Sequence, residues 1–147
     1  MEKLIELYKS WCGEVPASTE RIAGAGSNRE YYRLIGEDGF SVIGVVGTSR
    51  DENHAFVYLA KHFAERQLPV PNILAVSEDG LRYLQGDLGS TSLFDAVAGG
   101  RNAGGRYNQR EKELLVRTIR QLPNIQIRGA RGLDWQNCYP QPEFDED

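Results

Sequence analysis

The fold of this chain is decided by residues 24–34, which read Gly24-Ala25-Gly26-Ser27-Asn28-Arg29-Glu30-Tyr31-Tyr32-Arg33-Leu34. The first six residues have the pattern G-x-G-x-x-R, whose glycines predict a turn. The next five contain the aromatic residues that favour the pleated surface of a β-strand, and a brief strand is also predicted over 19–23. Because alternate side chains of a strand share a face, Arg29, Tyr31 and Arg33 are expected on one side of the sheet.

Two common phosphate-binding motifs are excluded by the residues after the glycines. A dinucleotide-binding fingerprint needs a third glycine and a helix directly after the loop, whereas these residues are predicted to continue as a strand. A Walker A loop needs Gly-Lys-Ser or Gly-Lys-Thr, which does not occur. Two interpretations of the glycine turn stay open: a cover for nucleotide phosphates, as in kinases, or an ordinary hairpin turn.

The elements around the turn are predicted in the order β-β-β-α-β-β. The turn signal Asp38-Gly39 leads into an apolar third strand over 40–46. A helix expected from about 48–51 to 66 comes next, because its apolar residues recur at helical spacing. Two more strands, over 73–76 and 81–85, are separated by the turn Glu78-Asp79-Gly80.

Shorter helices are expected on both sides of this core. Leu4, Leu7, Tyr8 and Trp11 lie at helical spacing, and Gly13 ends that helix. Helices are also predicted over 92–97 and 109–122, with a mobile glycine-rich loop over 99–105 between them. The segment from 129 onward, with its acidic tip at 144–147, is expected to be loosely ordered unless another part of the protein covers it.

Composition limits the class of protein. Of the 147 residues, 40% are hydrophobic and 26% charged, so a folded domain is expected rather than a disordered, collagen-like or coiled-coil chain. No apolar run approaches the ~20 residues of a membrane span, and the charged start over 1–6 excludes a signal peptide. Two distant cysteines, Cys12 and Cys138, predict free thiols in the cytoplasm and no zinc site.

Charge is distributed unevenly within the net value of −4. Residues 1–98 carry nine basic against fourteen acidic residues, 99–133 carry eight against two, and 134–147 carry none against five. The basic block is compatible with a nucleic-acid or phosphate partner, but a solvated helix face is the favoured explanation. Nucleic acid is therefore not an expected partner. The block consists of Arg101, Arg106, Arg110, Lys112, Arg117, Arg120, Arg128 and Arg131.

Three segments together resemble the aminoglycoside-phosphotransferase-like small-molecule kinases. They are 26–33, Leu68-Pro69-Val70-Pro71-Asn72-Ile73-Leu74 and Asp87-Leu88-Gly89, and the resemblance covers roughly residues 15–100. Within that family the likeness is to sugar kinases acting on N-acetylmuramate or N-acetylglucosamine. The resemblance implies an α+β fold: a protein-kinase-like N-terminal lobe over 1–89, with a five-stranded antiparallel sheet and one packed helix. The first helices of an incomplete second lobe would follow over 90–147.

The resemblance also implies where ATP binds. Gly24, Gly26 and Ser27 would cover the phosphates, and the backbone of Gln85, Gly86, Asp87 and Leu88 would bond the adenine edge. The apolar walls of the base site would be Ile22, Val42 and Leu84. Mg²⁺ would be held by residues of the missing part of the second lobe, which would also select the small-molecule acceptor.

Two departures from the family pattern shape the functional prediction. The strand over 40–46 has no basic residue, so Glu52 lacks the lysine partner that the family implies; Arg33 or Arg50 is a candidate substitute, although a surface salt bridge also explains either. Neither His54 nor His62 belongs to a His-x-Asp segment. We therefore expect an ATP-binding lobe of a sugar or amino-sugar kinase, inactive as this fragment, with no catalytic or metal-binding residue of its own. The alternative is a non-catalytic, pseudokinase-like module that forms a homodimer or docks on a partner.

Overall fold

A computed structural model of the chain, which describes residues 1–23 and 28–141, shows an α+β fold with a five-stranded antiparallel sheet. The predicted phosphate-covering residues Gly24, Gly26 and Ser27 and the acidic tip at 144–147 lie outside the described residues. The chain divides into two compact units. The sheet unit comprises residues 1–87 and the segment that begins at Leu133, and the helical unit comprises Leu88–Gly132.

The sheet has the strand order β1-β2-β3-β5-β4, and every neighbouring pair is antiparallel. The predicted strands are confirmed to within one or two residues at each end. One helix precedes the sheet and another connects β3 to β4. The elements of the sheet unit are α1 (Glu2–Cys12), β1 (Ser18–Ile22), β2 (Glu30–Ile35), β3 (Ser41–Val46), α2 (Arg50–Glu65), β4 (Ile73–Val76) and β5 (Arg82–Gly86).

The central strand β3 contributes alternate side chains to two separate cores, as the pleat of a strand requires. On one face, Val42 packs with Leu34, Leu84 and the α1 residues Leu4 and Tyr8. We call this side of the sheet the α1 face. On the opposite side, the α2 face, Ile43, Val45 and Tyr83 form a second buried cluster, against which Phe56 and Val57 of α2 pack.

Capping interactions explain where the two helices of the sheet unit stop and start. Gly13 ends α1 in the left-handed conformation, with a φ of 90°, and donates its N–H to the carbonyl oxygen of Lys9 at 2.7 Å. Ser49 begins α2 by accepting a hydrogen bond from the N–H of Glu52 at 3.3 Å. Both helix ends lie where the sequence predicts them, because caps are local signals.

The helical unit corrects one prediction. Instead of a loop over 99–105, residues Ala98–Asn102 form a helix, α4, between α3 (Leu93–Ala96) and α5 (Gln109–Ile119). Buried Glu111, in the first turn of α5, accepts hydrogen bonds from the N–H of Gly100 at 2.9 Å and of Asn108 at 2.8 Å. These bonds hold the pKa of Glu111 below its usual value. A tertiary hydrogen bond thus offsets the weak helix propensity of glycine.

The helical unit ends with a π-helical turn over Asn124–Arg128, after which the chain rejoins the sheet unit. In this returning segment a 3-10 turn, Trp135–Asn137, lies beside α2. The N–H of Asp134 donates to the Tyr58 hydroxyl at 2.8 Å. The turn over Trp135–Asn137 is thus held against α2, and for this turn the condition under which the sequence allowed order is met. Within residues 1–23 and 28–141, no helix has both the length and the apolar character that crossing a bilayer demands.

Gly44 sets how closely α1 approaches the sheet. A Cβ atom at this position would lie 2.9 Å from Leu4 Cδ2 and 3.1 Å from Leu34 Cδ1, both in the fully buried core of the α1 face. We expect Gly44→Ala to destabilise the fold by about 1–3 kcal/mol through overpacking. Urea unfolding followed by circular dichroism measures this change in the free energy of unfolding.

Gly86→Ala is the matched control for this substitution. Gly86 lies in the neighbouring strand, but a Cβ there would meet only the Asn72 backbone nitrogen, at an ordinary 3.9 Å. We therefore expect a much smaller change for Gly86→Ala. Equal free energies of unfolding for the two variants would contradict the close packing of α1 against β3.

Candidate functional site

The structure separates the apolar residues that were predicted to wall one base site. Ile22 packs with the cluster on the α2 face. Val42 and Leu84 are fully buried in the α1 face, where α1 covers them. Because the sheet lies between these groups, they cannot line the same pocket. On the α2 face, Ile22 packs against the cluster that contains Ile43, the residue directly after Val42 in β3.

The predicted adenine-bonding segment, Gln85 to Leu88, lies at the end of β5. Gln85 pairs with Ile43 of β3, and the N–H of Gly86 donates to the Asn72 carbonyl oxygen at 2.9 Å. Because the Gly86 N–H already donates to Asn72, it is not available to donate to an adenine base. The boundary between the two compact units falls between Asp87 and Leu88, within the segment that was predicted to bond the adenine edge.

The carboxylate of Asp87 is held by a two-pronged ion pair. Arg33 of β2 donates from Nε to Oδ2 at 2.6 Å and from Nη2 to Oδ1 at 3.2 Å, and the Ser41 hydroxyl donates to Oδ2 at 2.9 Å. The Asp87 side chain is 7% exposed. The hydrogen bond to Asp87 raises the pKa of the Arg33 guanidinium. These contacts fasten the end of β5 to its neighbour β3, through Ser41, and to the next strand β2, through Arg33.

Arg29, two residues after the glycine turn, is the partner of Glu52. Its Nη2 lies 3.0 Å from Glu52 Oε1 and donates to the Glu52 carbonyl oxygen at 3.2 Å. Its guanidinium carbon lies 5.1 Å from the ring centre of Phe56, one helical turn further along α2. The carboxylate of Glu52 and the ring of Phe56 thus both contact the guanidinium of Arg29.

This pair corrects the sequence-based assignment of the partner of Glu52. Arg33 and Arg50 were the candidates, but Arg33 is bound to Asp87 and Glu52 is bound to Arg29. The signal that could have found Arg29 was present in the sequence. Arg29 was predicted to share a face with Tyr31 and Arg33, and Tyr31 packs in the cluster that α2 covers.

Two buried polar atoms on the α2 face of β5 have no hydrogen-bond partner among the described residues: the Tyr83 hydroxyl and Gln85 Oε1. Tyr83 is fully buried and stacks on Phe56, with 5.2 Å between ring centres. Burial raises the pKa of its phenol well above the usual value. A buried polar atom without a partner costs free energy, so these two atoms mark a place where a ligand or water molecule would be stabilised.

No magnesium site can be assigned within residues 1–23 and 28–141, because no three side chains of the metal-ligating types come together there. The two histidines lie in α2, as predicted. His54 Nε2 is 2.9 Å from Asn137 Oδ1, and His62 is buried with ring contacts to Tyr58 and Phe63. Both histidines therefore have structural neighbours rather than a metal-binding arrangement.

A groove of about 480 Å³ lies between α1 and the β4–β5 turn, away from the predicted site. Two of its charged residues, Asp79 and Arg82, are already bonded to each other. Asp79 accepts from the Ser77 hydroxyl, the Leu81 N–H and the Arg82 guanidinium, and these contacts lower the pKa of Asp79 to about 2. The groove thus contains a closed polar turn and none of the candidate nucleotide-binding residues.

The sequence matches no protein-family model, and a search of curated proteins finds no significant relative. Function is therefore inferred from the geometry of the α2 face, from the segment after β5 and from the resemblance of the three sequence segments.

We expect Asp87→Asn to lower the melting temperature (Tm) by several degrees, because Arg33 would lose the opposite charge of a nearly buried partner. Glu30→Gln is the matched control, since Glu30 also pairs with an arginine, Arg21 at 2.9 Å, but its side chain is 46% exposed. An exposed pair contributes little, so the control should melt close to the wild type. Equal shifts in thermal unfolding would show that the Arg33–Asp87 pair does not fasten the strand end.

Proposed function

We propose that this chain is the nucleotide-binding lobe of an ATP-dependent small-molecule phosphotransferase with a sugar or amino sugar as acceptor. The observation that carries the proposal is the order of elements around the sheet. In a kinase-type lobe, a glycine-rich turn joins the first two strands, the third strand leads into a helix, and the fifth strand runs into the hinge. Here residues 23–29 join β1 to β2, β3 leads into α2, and β5 ends where the sheet unit ends.

The two faces of the sheet differ in what they offer a nucleotide. The α1 face is occupied by α1, whose Leu4 is fully buried against it. The α2 face presents the partly buried side chain of Ile22 and two buried polar atoms without partners, the Tyr83 hydroxyl and Gln85 Oε1. Apolar surface with a few polar groups is typical of a site for a planar base. We therefore place the adenine against the α2 face, beside Ile22 and Ile43.

The proposal concerns nucleotide binding by this chain, not turnover. Phosphoryl transfer also needs a residue that orients the acceptor hydroxyl and ligands for Mg²⁺. The 147 residues contain no His-x-Asp segment, and we assign neither role to a residue of this chain. ATP binding is accordingly expected to be weaker than micromolar.

Methyl NMR tests the placement of the base. On titration with ATP, we expect the methyl groups of Ile22 and Ile43 to shift, because an adenine ring placed against them produces a ring-current field. The methyl groups of Val42 and Leu84 on the α1 face serve as internal controls and should move much less. Absence of any saturable shift up to millimolar ATP would refute nucleotide binding, and equal shifts on both faces would refute the placement.

A second candidate function is an interaction module that forms a homodimer. It is favoured by four exposed apolar side chains in and after α5, namely Val116, Ile119, Leu122 and Ile127. Apolar residues grouped on one helix and its continuation are typical of a surface that a partner covers. The second copy of the chain is the partner we test, since it is present in any purified sample.

If this surface mediates self-association, the mean mass in sedimentation equilibrium should rise with concentration, and Ile119→Lys should suppress the rise. Thr118→Lys adds the same charge at the adjacent exposed position of α5 and should suppress it less. A single monomeric mass across the concentration range would exclude the dimer.

A further inference from the structure

The side-chain amide of Gln85 lies in an apolar part of the α2 face. In the sheet, Gln85 is paired with Ile43 of β3 on one side and with Ile73 of β4 on the other. Residues that are directly opposite in antiparallel strands have their side chains on the same face. Ile43 and Ile73 both belong to the cluster of the α2 face. The amide is therefore flanked by an isoleucine on each side.

One atom of this amide lacks the contact that a buried polar atom needs. Gln85 Oε1 is buried and has no hydrogen-bond partner among residues 1–23 and 28–141. Buried polar atoms in folded proteins are nearly always paired, because leaving one unpaired costs free energy. A carboxamide oxygen only accepts hydrogen bonds. A ligand that presents an N–H group at this point would therefore be stabilised.

The main chain at this end of β5 offers fewer contacts than the resemblance implies. The N–H of Gly86 is engaged by the Asn72 carbonyl oxygen at 2.9 Å. Beside Gln85, β3 contributes Ile43 and Val45 to the α2 face, and neither has a hydrogen-bonding atom in its side chain. The side-chain amide of Gln85 is therefore a group through which this wall can distinguish one base from another.

The buried atom decides which purine the amide matches. Adenine carries an amino group at position 6, which donates hydrogen bonds, next to the acceptor N7; a glutamine amide can pair with both. Guanine and hypoxanthine carry an oxygen at position 6, which only accepts. Because the buried atom of Gln85 is also an acceptor, a 6-oxopurine would place two acceptors against each other and leave both unpaired.

We infer that the side chain of Gln85 selects adenine over 6-oxopurine bases, because its buried Oε1 accepts a hydrogen bond from the adenine amino group. This inference rests on the proposed function and deepens it, since it assigns base specificity to one side chain. The resemblance assigns only main-chain contacts to this position. In this role Gln85 transfers no proton and binds no phosphate.

Tyr83 provides the matched control. Its hydroxyl is the other buried polar atom without a partner among the described residues on this face of β5. Tyr83 is fully buried beneath Phe56, whereas Gln85 is only partly buried. A ligand can contact a side chain that keeps some exposed surface, so the base is expected to reach Gln85 and not the Tyr83 hydroxyl. Tyr83→Phe removes an unpaired polar atom without touching the proposed contact.

The test compares ATP with inosine triphosphate (ITP), whose base has an oxygen in place of the amino group. Methyl NMR titration of the whole 147-residue chain, in magnesium-containing buffer and with Ile43 as the reporter, gives the ratio of the two affinities. We expect the wild type to bind ATP roughly tenfold more tightly than ITP, the effect of one buried hydrogen bond. Gln85→Met should bring the ratio close to one, mainly by weakening ATP binding, and Tyr83→Phe should keep the wild-type ratio.

Thermal unfolding without ligand separates base selection from a role in folding. Because Oε1 has no partner to lose within the described residues, replacing the amide by an apolar side chain of similar length should be close to neutral or stabilising. We expect Gln85→Met to melt at or above the wild-type Tm. A Tm several degrees below that of the wild type would show that the amide holds the fold, and would overturn the inference.

The titrations overturn the inference in distinguishable ways. If the wild type binds ATP and ITP equally, position 6 of the base is not recognised, although nucleotide binding stands. If Gln85→Met keeps the preference for ATP, or if Tyr83→Phe loses it to the same extent, Gln85 is not the selecting residue. If the wild type binds neither nucleotide up to millimolar concentration, the proposed function itself fails, and this inference fails with it.

Discussion

The alternation of side chains along β3 is the constraint on which the rest of the structure depends. Val42 and Gly44 face α1, and the missing Cβ of Gly44 lets Leu4 approach the strand. Ile43 and Val45 face the opposite side, where the α2 residue Phe56 packs against their cluster. One central strand therefore determines that the sheet has two cores, one covered by α1 and one covered by α2.

The polar contacts of the α2 face are built on that arrangement. Arg33 and Ser41 bind Asp87 and so fasten the end of β5, where the sheet unit ends. Glu52 and Phe56, one turn apart on α2, hold Arg29 next to the glycine turn. Two arginines on this face thus have different partners: Arg33 closes the end of β5, and Arg29 joins the start of β2 to α2.

Much of the fold could be predicted because its signals are local. The turn Asp38-Gly39, the cap residue Ser49 and the helical spacing of Leu4, Leu7 and Tyr8 each act within a few residues, and the elements lie where these signals indicate. The loop predicted over 99–105 was wrong because Glu111, eleven positions beyond Gly100, supplies the hydrogen bond that stabilises α4. The roles of Gly24, Gly26 and Ser27 stay predictions, since these residues lie outside the described part.

By itself, the sequence determined the order of strands and helices along the sheet unit, since periodicity, caps and turn residues are written into short stretches of chain. It also determined that Arg29 and Arg33 share a face. Only the tertiary structure decided which carboxylate each arginine binds, because the partners are 23 residues apart for Arg29 and Glu52 and 54 for Arg33 and Asp87. It also decided that Ile22 and Val42 lie on opposite sides of the sheet. Contacts between distant segments depend on how strands pair and helices pack. No local sequence pattern specifies which distant segments meet.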